Sequence, residues 1–304
     1  MVGVQNTGNK AVADTGESLI AAPSGCDQTV IIGVGLMGGS IGLALARAGL
    51  CSKVIGVDAE PTLQDALNVG AITRASKELT DCLPHADLVI IAVPVHLVCS
   101  IITKIAPLIK PSATVTDIAS VKFNIAETGA AMLGNRFLAG HPMAGSERTG
   151  VLNARNDLFS DAAWALTPHR DLPADKARID LLTSVVQSIG ARALILDPAR
   201  HDRLAALVSH LPHLISFAYN HTIESDEEAE LAHTLGAGSY RDLTRVAASD
   251  PCLWRDVFIE NREWLLAALQ THKRAIEDLE KAVISHDVVE VMEAIQKATG
   301  RRQA

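Results

Sequence analysis

The sequence predicts an α/β fold: a doubly wound, mostly parallel sheet followed by an all-α domain. From Thr29 to about Asp197, short β-branched runs alternate with segments of helical period. The runs are apolar throughout, which is typical of strands that helices cover on both faces. After Asp197 the strand signal stops, and helical periods continue nearly to Gly300.

The predicted strands and helices follow one another as in repeated βαβ units. Strand TVIIGVG precedes helix LMGGSIGLALARAG, KVIGVD precedes PTLQDALNVG, ADLVIIAVP precedes VHLVCSIITKIAPLI, and ATVTDIAS precedes VKFNIAETGAAML. Later strands are predicted in RFLAGHP, DAAWALTP and ARALILD, with a helix from about Ala174 to Ile189 between the last two.

The helical part begins at DPARHD, where Asp197 suits the N-cap and Pro198 the first helical position. We therefore expect a loosely ordered extension over 1–28, a sheet domain over 29–197 and a helical domain over 198–304. The segments WRDVFIENREWLLAALQTHKRAIEDLEKAVIS and VVEVMEAIQKAT are long and strongly periodic. Such helices often bury an apolar face against a second subunit, so we expect a homodimer through the helical domain.

Composition excludes several classes of partner. The chain carries 35 acidic and 27 basic residues, and 3% of its residues are aromatic. The chain has no excess of basic residues to neutralise phosphates and few aromatic residues to stack on bases. Nucleic acid is therefore not an expected partner. No apolar run approaches the roughly 20 residues of a membrane span, and the N-terminus does not resemble a secretory signal. The 5 cysteines form no CxxC pair, which favours reduced thiols and a cytoplasmic location.

The stretch GVGLMG closes the first strand and opens the first helix. Its glycines are Gly33, Gly35 and Gly38, with Leu36 and Met37 between them. In such a GxGxxG pattern the first glycine permits a tight turn, and the second lets the backbone approach a pyrophosphate. The third lets the helix pack closely on the strand. A dinucleotide-binding turn is therefore predicted.

Three further residues belong to the same predicted crevice. Asp58 ends the second strand, where a carboxylate accepts hydrogen bonds from the adenosine ribose and repels the additional phosphate of NADP. The predicted cofactor is therefore NAD. Val93 and Pro94 end the strand ADLVIIAVP and are expected to line the crevice.

His141 is the main candidate for chemistry. Pro142 biases it away from helical angles, which places it at a strand end after the run RFLAG. Ser120 follows the strand TVTDIA, and both side chains are expected to meet over the nicotinamide. A neutral imidazole with a pKa near ~6.5 can take a proton from an alcohol while hydride leaves the same carbon. A histidine that only completes a turn is the structural alternative.

Six linked motifs resemble the prephenate dehydrogenase family, which includes arogenate and cyclohexadienyl dehydrogenases. They are GVGLMG, DIASVK, HPMAGSERTG, DPARHD, SHLPHLIS and RDLTRVAASDPCLW, in consistent order from about residue 29 to 265. The resemblance implies NAD-dependent or NADP-dependent oxidative decarboxylation of prephenate or arogenate, in tyrosine biosynthesis. It also implies a Rossmann domain joined to a helical dimerisation domain.

The resemblance implies roles for individual residues. His141 would contact the ring hydroxyl as hydrogen-bond acceptor and base, and Ser120 would orient the reacting group. Arg245 would anchor a substrate carboxylate. The remaining positions matched to the substrate site are His213, His201, Ser146 and Glu147.

The residues alone leave some alternatives open. Arg241 and Arg245 lie four apart on one predicted helix face, and only the resemblance selects Arg245. His201, His210 and His213 form an alternative metal site, since the pair His210 and His213 has a spacing known for metal ligands. Hydride transfer to a nicotinamide requires no metal, and none is expected. His210 is expected to be a satisfied core histidine.

Other functions are conceivable for this pattern. A β-hydroxyacid dehydrogenase or imine reductase would carry a lysine on the first interdomain helix, and residues 198–222 contain none. A non-enzymatic NAD sensor would need an additional binding element, which the charge balance does not supply. The sequence leaves open the choice between prephenate and arogenate, the strictness of NAD over NADP, and inhibition by tyrosine.

Overall fold

The computed structural model describes residues 26–146 and 148–299. The predicted extension over 1–28 lies outside these ranges except at its end, where Cys26 is buried and Gln28 already belongs to the first strand. The strands are β1 Gln28–Ile32, β2 Lys53–Val57, β3 Arg74–Ser76, β4 Leu88–Ile91, β5 Thr114–Asp117, β6 Ala139–Pro142, β7 Ala163–Thr167 and β8 Arg192–Ile195.

The strands form a parallel sheet with a smaller sheet beside it. The parallel sheet has five strands in the order β3-β2-β1-β4-β5, so the direction of winding reverses between β1 and β4. A crevice at the carboxyl ends of the strands is expected at this reversal. The second sheet has the order β6-β7-β8, with β6 antiparallel to β7 and β8 parallel to it. A bridge between Val115 and Phe137 joins the two sheets.

Helices cover both faces of the parallel sheet, which confirms the predicted doubly wound fold. The helices of this part are α1 Leu36–Arg47, α2 Glu60–Asn68, α3 Val95–Ile105, α4 Phe123–Leu133 and α5 Lys176–Ser188. Ile31 packs on the face covered by α1, α2 and α5, whereas its neighbours Val30 and Ile32 pack on the face covered by α3 and α4. All positions of β4 are buried, which explains why its sequence LVII contains no polar residue.

The helical part follows β8 without a further strand among the described residues. Its helices are α6 Pro198–Ala205, α7 Leu211–Glu224, α8 Ala229–Leu235, α9 Gly238–Arg245, α10 Pro251–Glu260, α11 Arg262–Ile284 and α12 Val288–Thr299. The Asp197 side chain accepts a hydrogen bond from the Arg200 N–H (3.0 Å) and so caps α6. A π-helical segment, Ala206–His210, joins α6 to α7.

The helical part is attached firmly to the sheet part. Trp254 and Val257 of α10 are buried in the same apolar cluster as the inner faces of α3 and α4. The long periodic segment from Trp254 to Ser285 is interrupted at Asn261, which separates α10 from α11. None of the helices in the described ranges is long and apolar enough to span a membrane.

Candidate active site

The turn between β1 and α1 requires glycine for distinct steric reasons. Gly33 has φ +92°, and a Cβ there would lie 2.5 Å from the carbonyl oxygen of Ala92. A Cβ on Gly38 would lie 1.9 Å from the carbonyl oxygen of Gly33, so any side chain would push α1 away from β1. Gly35 meets no non-neighbouring atom within 4 Å of its Cβ position, so its backbone is open to a ligand. This arrangement fits a cradle for a pyrophosphate.

The first turn of α1 adds an electrostatic contribution. Leu36 and Met37 begin the helix, its N-cap Gly35 offers no side-chain acceptor, and the first turn contains no acidic residue. The free N–H groups and the positive end of the helix dipole therefore favour an anion at this point. Both features fit the diphosphate of a dinucleotide.

Asp58 and the end of β4 complete the predicted cofactor positions. The Asp58 carboxylate accepts hydrogen bonds from the backbone N–H groups of Val34 (2.8 Å) and Ala59 (2.7 Å). These bonds hold the carboxylate beside the glycine turn, with capacity left to accept hydroxyl groups. Val93 is half-buried and Pro94 is the exposed N-cap of α3. Because β4 pairs with β1, both follow a strand end that lies beside the end of β1.

A buried ion pair ties the end of β5 to the end of β6. The Lys122 ammonium contacts the Asp117 carboxylate and donates to the carbonyl oxygen of Gly140 (2.7 Å), and both charged side chains are fully buried. Asp117 also accepts a hydrogen bond from the Gly140 N–H (3.2 Å). Ser120 lies between the two charged residues in the chain, and His141 follows Gly140. The ion pair therefore fixes the backbone that carries both candidate residues.

His141, His201 and Asp202 form a hydrogen-bonded chain. Asp202 Oδ1 lies 2.8 Å from His201 Nδ1, and His201 Nε2 lies 2.9 Å from His141 Nδ1. The Asp202 carboxylate also accepts the backbone N–H groups of Lys122 (2.7 Å) and Phe123 (2.9 Å). Because the carboxylate is an acceptor, His201 donates from Nδ1, and its Nε2 accepts from His141. The lone pair of His141 is therefore on Nε2.

The environment keeps His141 neutral. Burial lowers its pKa well below the usual 6.5, and the neighbouring His201 and Lys122 lower it further. The side chain is 7% exposed. A desolvated neutral imidazole, with its Nδ1–H committed and its Nε2 able to accept, has the form that proton abstraction from a hydroxyl requires.

The same contacts change the role of His201. Both of its ring nitrogens are engaged, one with Asp202 and one with His141, and the side chain is buried. No ring nitrogen is left for the direct substrate contact that the resemblance implies. We therefore assign His201 to fixing the orientation and tautomer of His141.

His210 differs from the expected satisfied core histidine. Its Nδ1 lies 3.0 Å from Asn261 Nδ2, and the same amide nitrogen donates to the carbonyl oxygen of Asp202 (2.8 Å). The ring is fully buried, and its Nε2 has no hydrogen-bond partner among the described residues. Burial lowers the pKa of His210 from 6.5 to about 4. The prediction is therefore correct for only one of the two ring nitrogens.

His213 lies one turn further along, at the start of α7. Its Nδ1 donates to the carbonyl oxygen of Ser209 (2.9 Å), and its ring stacks on Trp254 with centroids 3.6 Å apart. Burial lowers the pKa of His213, and the guanidinium of Arg245 lowers it further. The charge of Arg245 therefore acts on the His213 ring.

The two arginines of α9 have different surroundings. Arg241 Nη1 donates to the carbonyl oxygen of Gly236 (3.1 Å), whereas the exposed Arg245 makes no hydrogen bond or ion pair within the described ranges. A hydrogen bond from the Ser216 hydroxyl to the carbonyl oxygen of Leu243 holds α9 against α7. The guanidinium of Arg245 is therefore available to a ligand.

The remaining predicted residues lie at the periphery. The half-buried Ser120 has no hydrogen bond to any described residue, and Ser146 lies on an exposed loop, where its Oγ accepts from the Arg148 N–H (3.2 Å). Glu147 lies outside the described residues. Within those residues, no group of His, Cys, Asp and Glu side chains has the arrangement of a metal site.

Sequence reasoning missed several residues of the site. Asp117, Lys122, Asp202 and Asn261 received no role, although two of the quoted motifs contain the first three. A signal was available for Lys122, because a charged residue beside an apolar strand is buried only when it is paired. Asp202 gave no such signal, because its neighbours in the chain are polar. Asn261 gave no signal, because it lies in a continuous helical pattern.

Two family models match consecutive parts of the chain. The nucleotide-binding domain of prephenate dehydrogenase matches residues 41–195. The dimerization domain of prephenate dehydrogenase matches residues 197–297.

Individual relatives agree with these matches. Prephenate dehydrogenase from Bacillus subtilis is 31% identical over 266 residues, which are 86% of this chain and 71% of the relative. Cyclohexadienyl dehydrogenase from Zymomonas mobilis is 32% identical over 282 residues, which are 90% of this chain and 94% of the relative.

Among solved structures, prephenate dehydrogenase from Aquifex aeolicus, in complex with hydroxyphenyl propionate and NAD+, superposes with a TM-score of 0.83. It is 32% identical, and the match covers 90% of this chain and 96% of that one. Arogenate dehydrogenase from Synechocystis gives a TM-score of 0.77 at 29% identity, over 90% and 98% of the two chains. With its glycine turn, its buried histidine chain and these matches, the chain belongs to the prephenate dehydrogenase family.

Proposed function

We propose that the protein catalyses the NAD-dependent oxidative decarboxylation of prephenate to 4-hydroxyphenylpyruvate, with arogenate as a second candidate substrate. The observation that carries the proposal is the chain from Asp202 through His201 to His141, which leaves an acceptor nitrogen at the end of β6. The Aquifex aeolicus relative with bound NAD+ supports the choice of cofactor. Val93 and Pro94 would line the cofactor crevice.

In the proposed reaction His141 serves as the base. Its Nε2 accepts the proton of the C4 hydroxyl as hydride leaves C4, and the electrons of the bond to the C1 carboxylate complete the aromatic ring. Carbon dioxide leaves, and the proton returns to the phenolic oxygen. NAD, when bound, supplies the hydride acceptor. Ser120 would orient the hydroxyl beside His141.

The helical domain would bind the substrate's acid groups. Prephenate carries two carboxylates, and a planar guanidinium can pair with a carboxylate through two hydrogen bonds. Arg245 would provide this contact, and its lack of a described partner supports the role. His213 would lie beside the bound carboxylate, while Ser146 and Glu147 would close the edge of the site.

The test is direct. Purified protein is incubated with prephenate and NAD, and NADH formation is followed by absorbance while 4-hydroxyphenylpyruvate is identified by mass. We expect both products in equal amounts. Absence of NADH formation with prephenate and with arogenate would refute the proposal. A 3-hydroxy acid serves as a substrate control, because it tests the alternative dehydrogenase class.

Substrate and cofactor preferences are decided by the same assay. The Synechocystis arogenate dehydrogenase is about as similar to this chain as the prephenate dehydrogenases, which justifies the second substrate. We expect prephenate to be the better substrate, and NAD to be preferred over NADP because Asp58 would repel the additional phosphate. The ratio of kcat/KM values for each pair measures both preferences.

We extend the proposal to a homodimer that functions in the cytoplasm. The domains would be divided at residue 197, and α11 and α12 would contribute to the dimer contact. These helices expose a group of apolar side chains, namely Val283, Ile284, Val288, Val289, Met292 and Ile295. Sedimentation equilibrium should give twice the mass of the chain, and a monomer at micromolar concentration would contradict the proposal.

A further inference from the structure

The first helix contains two residues that the dinucleotide pattern does not explain. The run GVGLMGGS continues past Gly38 with Gly39 and Ser40, and both lie buried in the first turns of α1. Glycine is among the least favourable residues in a helix interior. Gly38 is explained by its closeness to the carbonyl group of Gly33, whereas the atoms nearest to a Cβ on Gly39 belong to a different part of the chain.

A Cβ on Gly39 would meet the connection between β6 and β7, whose residues 143–146 and 148–157 we call the linking segment. It would lie 2.7 Å from Val151 Cγ2 and 3.2 Å from the Cβ of Ala154. Non-bonded carbon atoms prefer a separation of about 3.5–4.0 Å, so only glycine lets Val151 pack this closely on α1. Val151 is buried there, in the apolar cluster that includes the inner face of α1.

Ser40 holds the same segment through a hydrogen bond. Its hydroxyl is buried and accepts the backbone N–H of Arg155 at 3.0 Å. The chain between Val151 and Arg155 is held locally, because the Ala154 N–H donates to the carbonyl oxygen of Val151 (2.9 Å). The two neighbouring residues of α1 therefore dock this part of the linking segment on the helix that begins at the glycine turn.

The other end of the linking segment follows the proposed base. His141 and Pro142 end β6, and the N–H of Met143 donates to the carbonyl oxygen of Ala163 in β7 (2.8 Å). The chain therefore runs from the imidazole at one end to the cofactor helix at the other. Its exposed part, which includes Ser146, lies between these two fixed ends.

We infer that Gly39 and Ser40 are positioning residues that set where the linking segment borders the substrate. The inference rests on the proposed function, in which Ser146 belongs to the edge of the substrate site. Displacing the docked end from α1 would move that edge relative to His141, whose position is fixed separately by β6 and by His201. The glycine turn would keep its own contacts, so substrate binding should change and cofactor binding should not.

Paired substitutions test the docking. Gly39→Ala adds the Cβ that collides with Val151, and Val151→Ala removes the methyl groups that this Cβ would meet. If the two residues are in direct contact, the double variant should be closer to wild type than Gly39→Ala is, because the new methyl group then occupies vacated space. Each enzyme is measured for kcat and KM with prephenate or arogenate, whichever wild type uses better, for the KM of NAD, and for thermal unfolding.

We expect Gly39→Ala to raise the substrate KM about 5-fold or more, while kcat and the KM of NAD stay near wild type. The double variant should return the substrate KM most of the way to the wild-type value. Alanine favours a helix over glycine, so a merely structural role predicts an unchanged KM and an equal or higher melting temperature.

The hydrogen bond is tested in the same assay. Ser40→Ala removes the acceptor of the Arg155 N–H and should also raise the substrate KM. The control Asp157→Asn weakens only an exposed ion pair with the Arg155 side chain and should leave the substrate KM unchanged.

A second measurement does not depend on catalysis. Amide hydrogen exchange of residues 148–157 reports whether the linking segment is docked, because undocked backbone exchanges faster. Exchange should be faster in Gly39→Ala and in Ser40→Ala than in wild type, and it should slow again in the double variant.

Faster exchange with an unchanged substrate KM would overturn the inference, because docking would then have no effect on the substrate. Unchanged exchange in both single variants would also overturn it, and so would equal substrate KM values in Gly39→Ala and the double variant. Failure of the proposed function is recognised separately: wild type would form no NADH with prephenate or arogenate, and the inference would fall with it whatever the exchange rates show.

Discussion

The contact between His201 and His141 allows a quantitative test of how the base is oriented. His201→Asn places an amide nitrogen where Nδ1 now donates to Asp202, but its side chain is too short to reach His141. The buried Nδ1–H of His141 then loses its acceptor at 2.9 Å, which costs about 1–3 kcal/mol. If that bond is what favours the productive tautomer, kcat should fall by about 10- to 100-fold, since each 1.36 kcal/mol corresponds to a factor of ten.

The matched control is His201→Gln, whose amide oxygen reaches the position of Nε2 and can accept from His141. We expect its kcat to stay within a few-fold of wild type. The assay is steady-state NADH formation at saturating NAD, with prephenate varied and with the melting temperature recorded for each variant. Equal kcat values for the two variants, or a wild-type kcat in His201→Asn, would show that the hydrogen bond does not orient the base.

Three further outcomes are expected. His141→Asn should lower kcat by about 10²- to 10⁴-fold with little change in substrate binding, and normal turnover would exclude His141 from the mechanism. Arg245→Gln should raise the KM for prephenate strongly and leave the KM of NAD unchanged. The control Arg241→Gln, which alters a contact within the helical part, should change neither KM. Equal increases of the prephenate KM in the two variants would contradict the assignment of Arg245. Acid should destabilise the fold through His210, because unfolding raises its pKa from about 4 to 6.5. The unfolded state then binds the proton first, so stability is complete above pH 6.5 and falls by about 3 kcal/mol as the pH drops towards 4. Urea unfolding at pH 7 and pH 5, at one protein concentration, should show about 2 kcal/mol of this loss and less in His210→Asn; an equal loss in the two proteins would refute it.

The sheet domain could be predicted from sequence because the central strands of its parallel sheet are buried on both faces. Each strand longer than three residues overlaps a segment that the sequence predicted as a strand, and the helices between them had a clear period. The short β3 was missed because its residues RAS are partly polar and pair only at the edge of the sheet. The interruption at Asn261 was missed for a different reason. The polar contacts of its side chain come from residues about 50 to 60 positions away, and no local pattern records them.

The site could be predicted only in part. Close backbone approach at the turn after β1 requires glycine at Gly33 and Gly38, and the sequence pattern records this requirement locally. Asp58 likewise lies at the strand end where the pattern placed it and accepts a backbone hydrogen bond from that turn. The roles of histidines do not follow from local needs, because a ring's function depends on which nitrogen carries the proton. His201 matched a motif for the substrate site, yet contacts with two other side chains leave it no free nitrogen.

Asp202 makes the tautomer of His141, the proposed base, depend on contact between the helical part and the sheet part. Its carboxylate accepts the backbone N–H groups of Lys122 and Phe123 at the start of α4, and it also accepts the proton of His201 on its own helix, α6. The sheet domain supplies His141 through β6, but the group that fixes the tautomer of His141 belongs to the helical domain. Moving α6 away from α4 and β6 would leave the backbone N–H groups of Lys122 and Phe123 without Asp202. It would also leave the Nδ1–H of His141 without His201 and so free the His141 ring. The sheet domain alone would therefore retain the glycine turn and the imidazole while losing the proton arrangement that the proposed base requires.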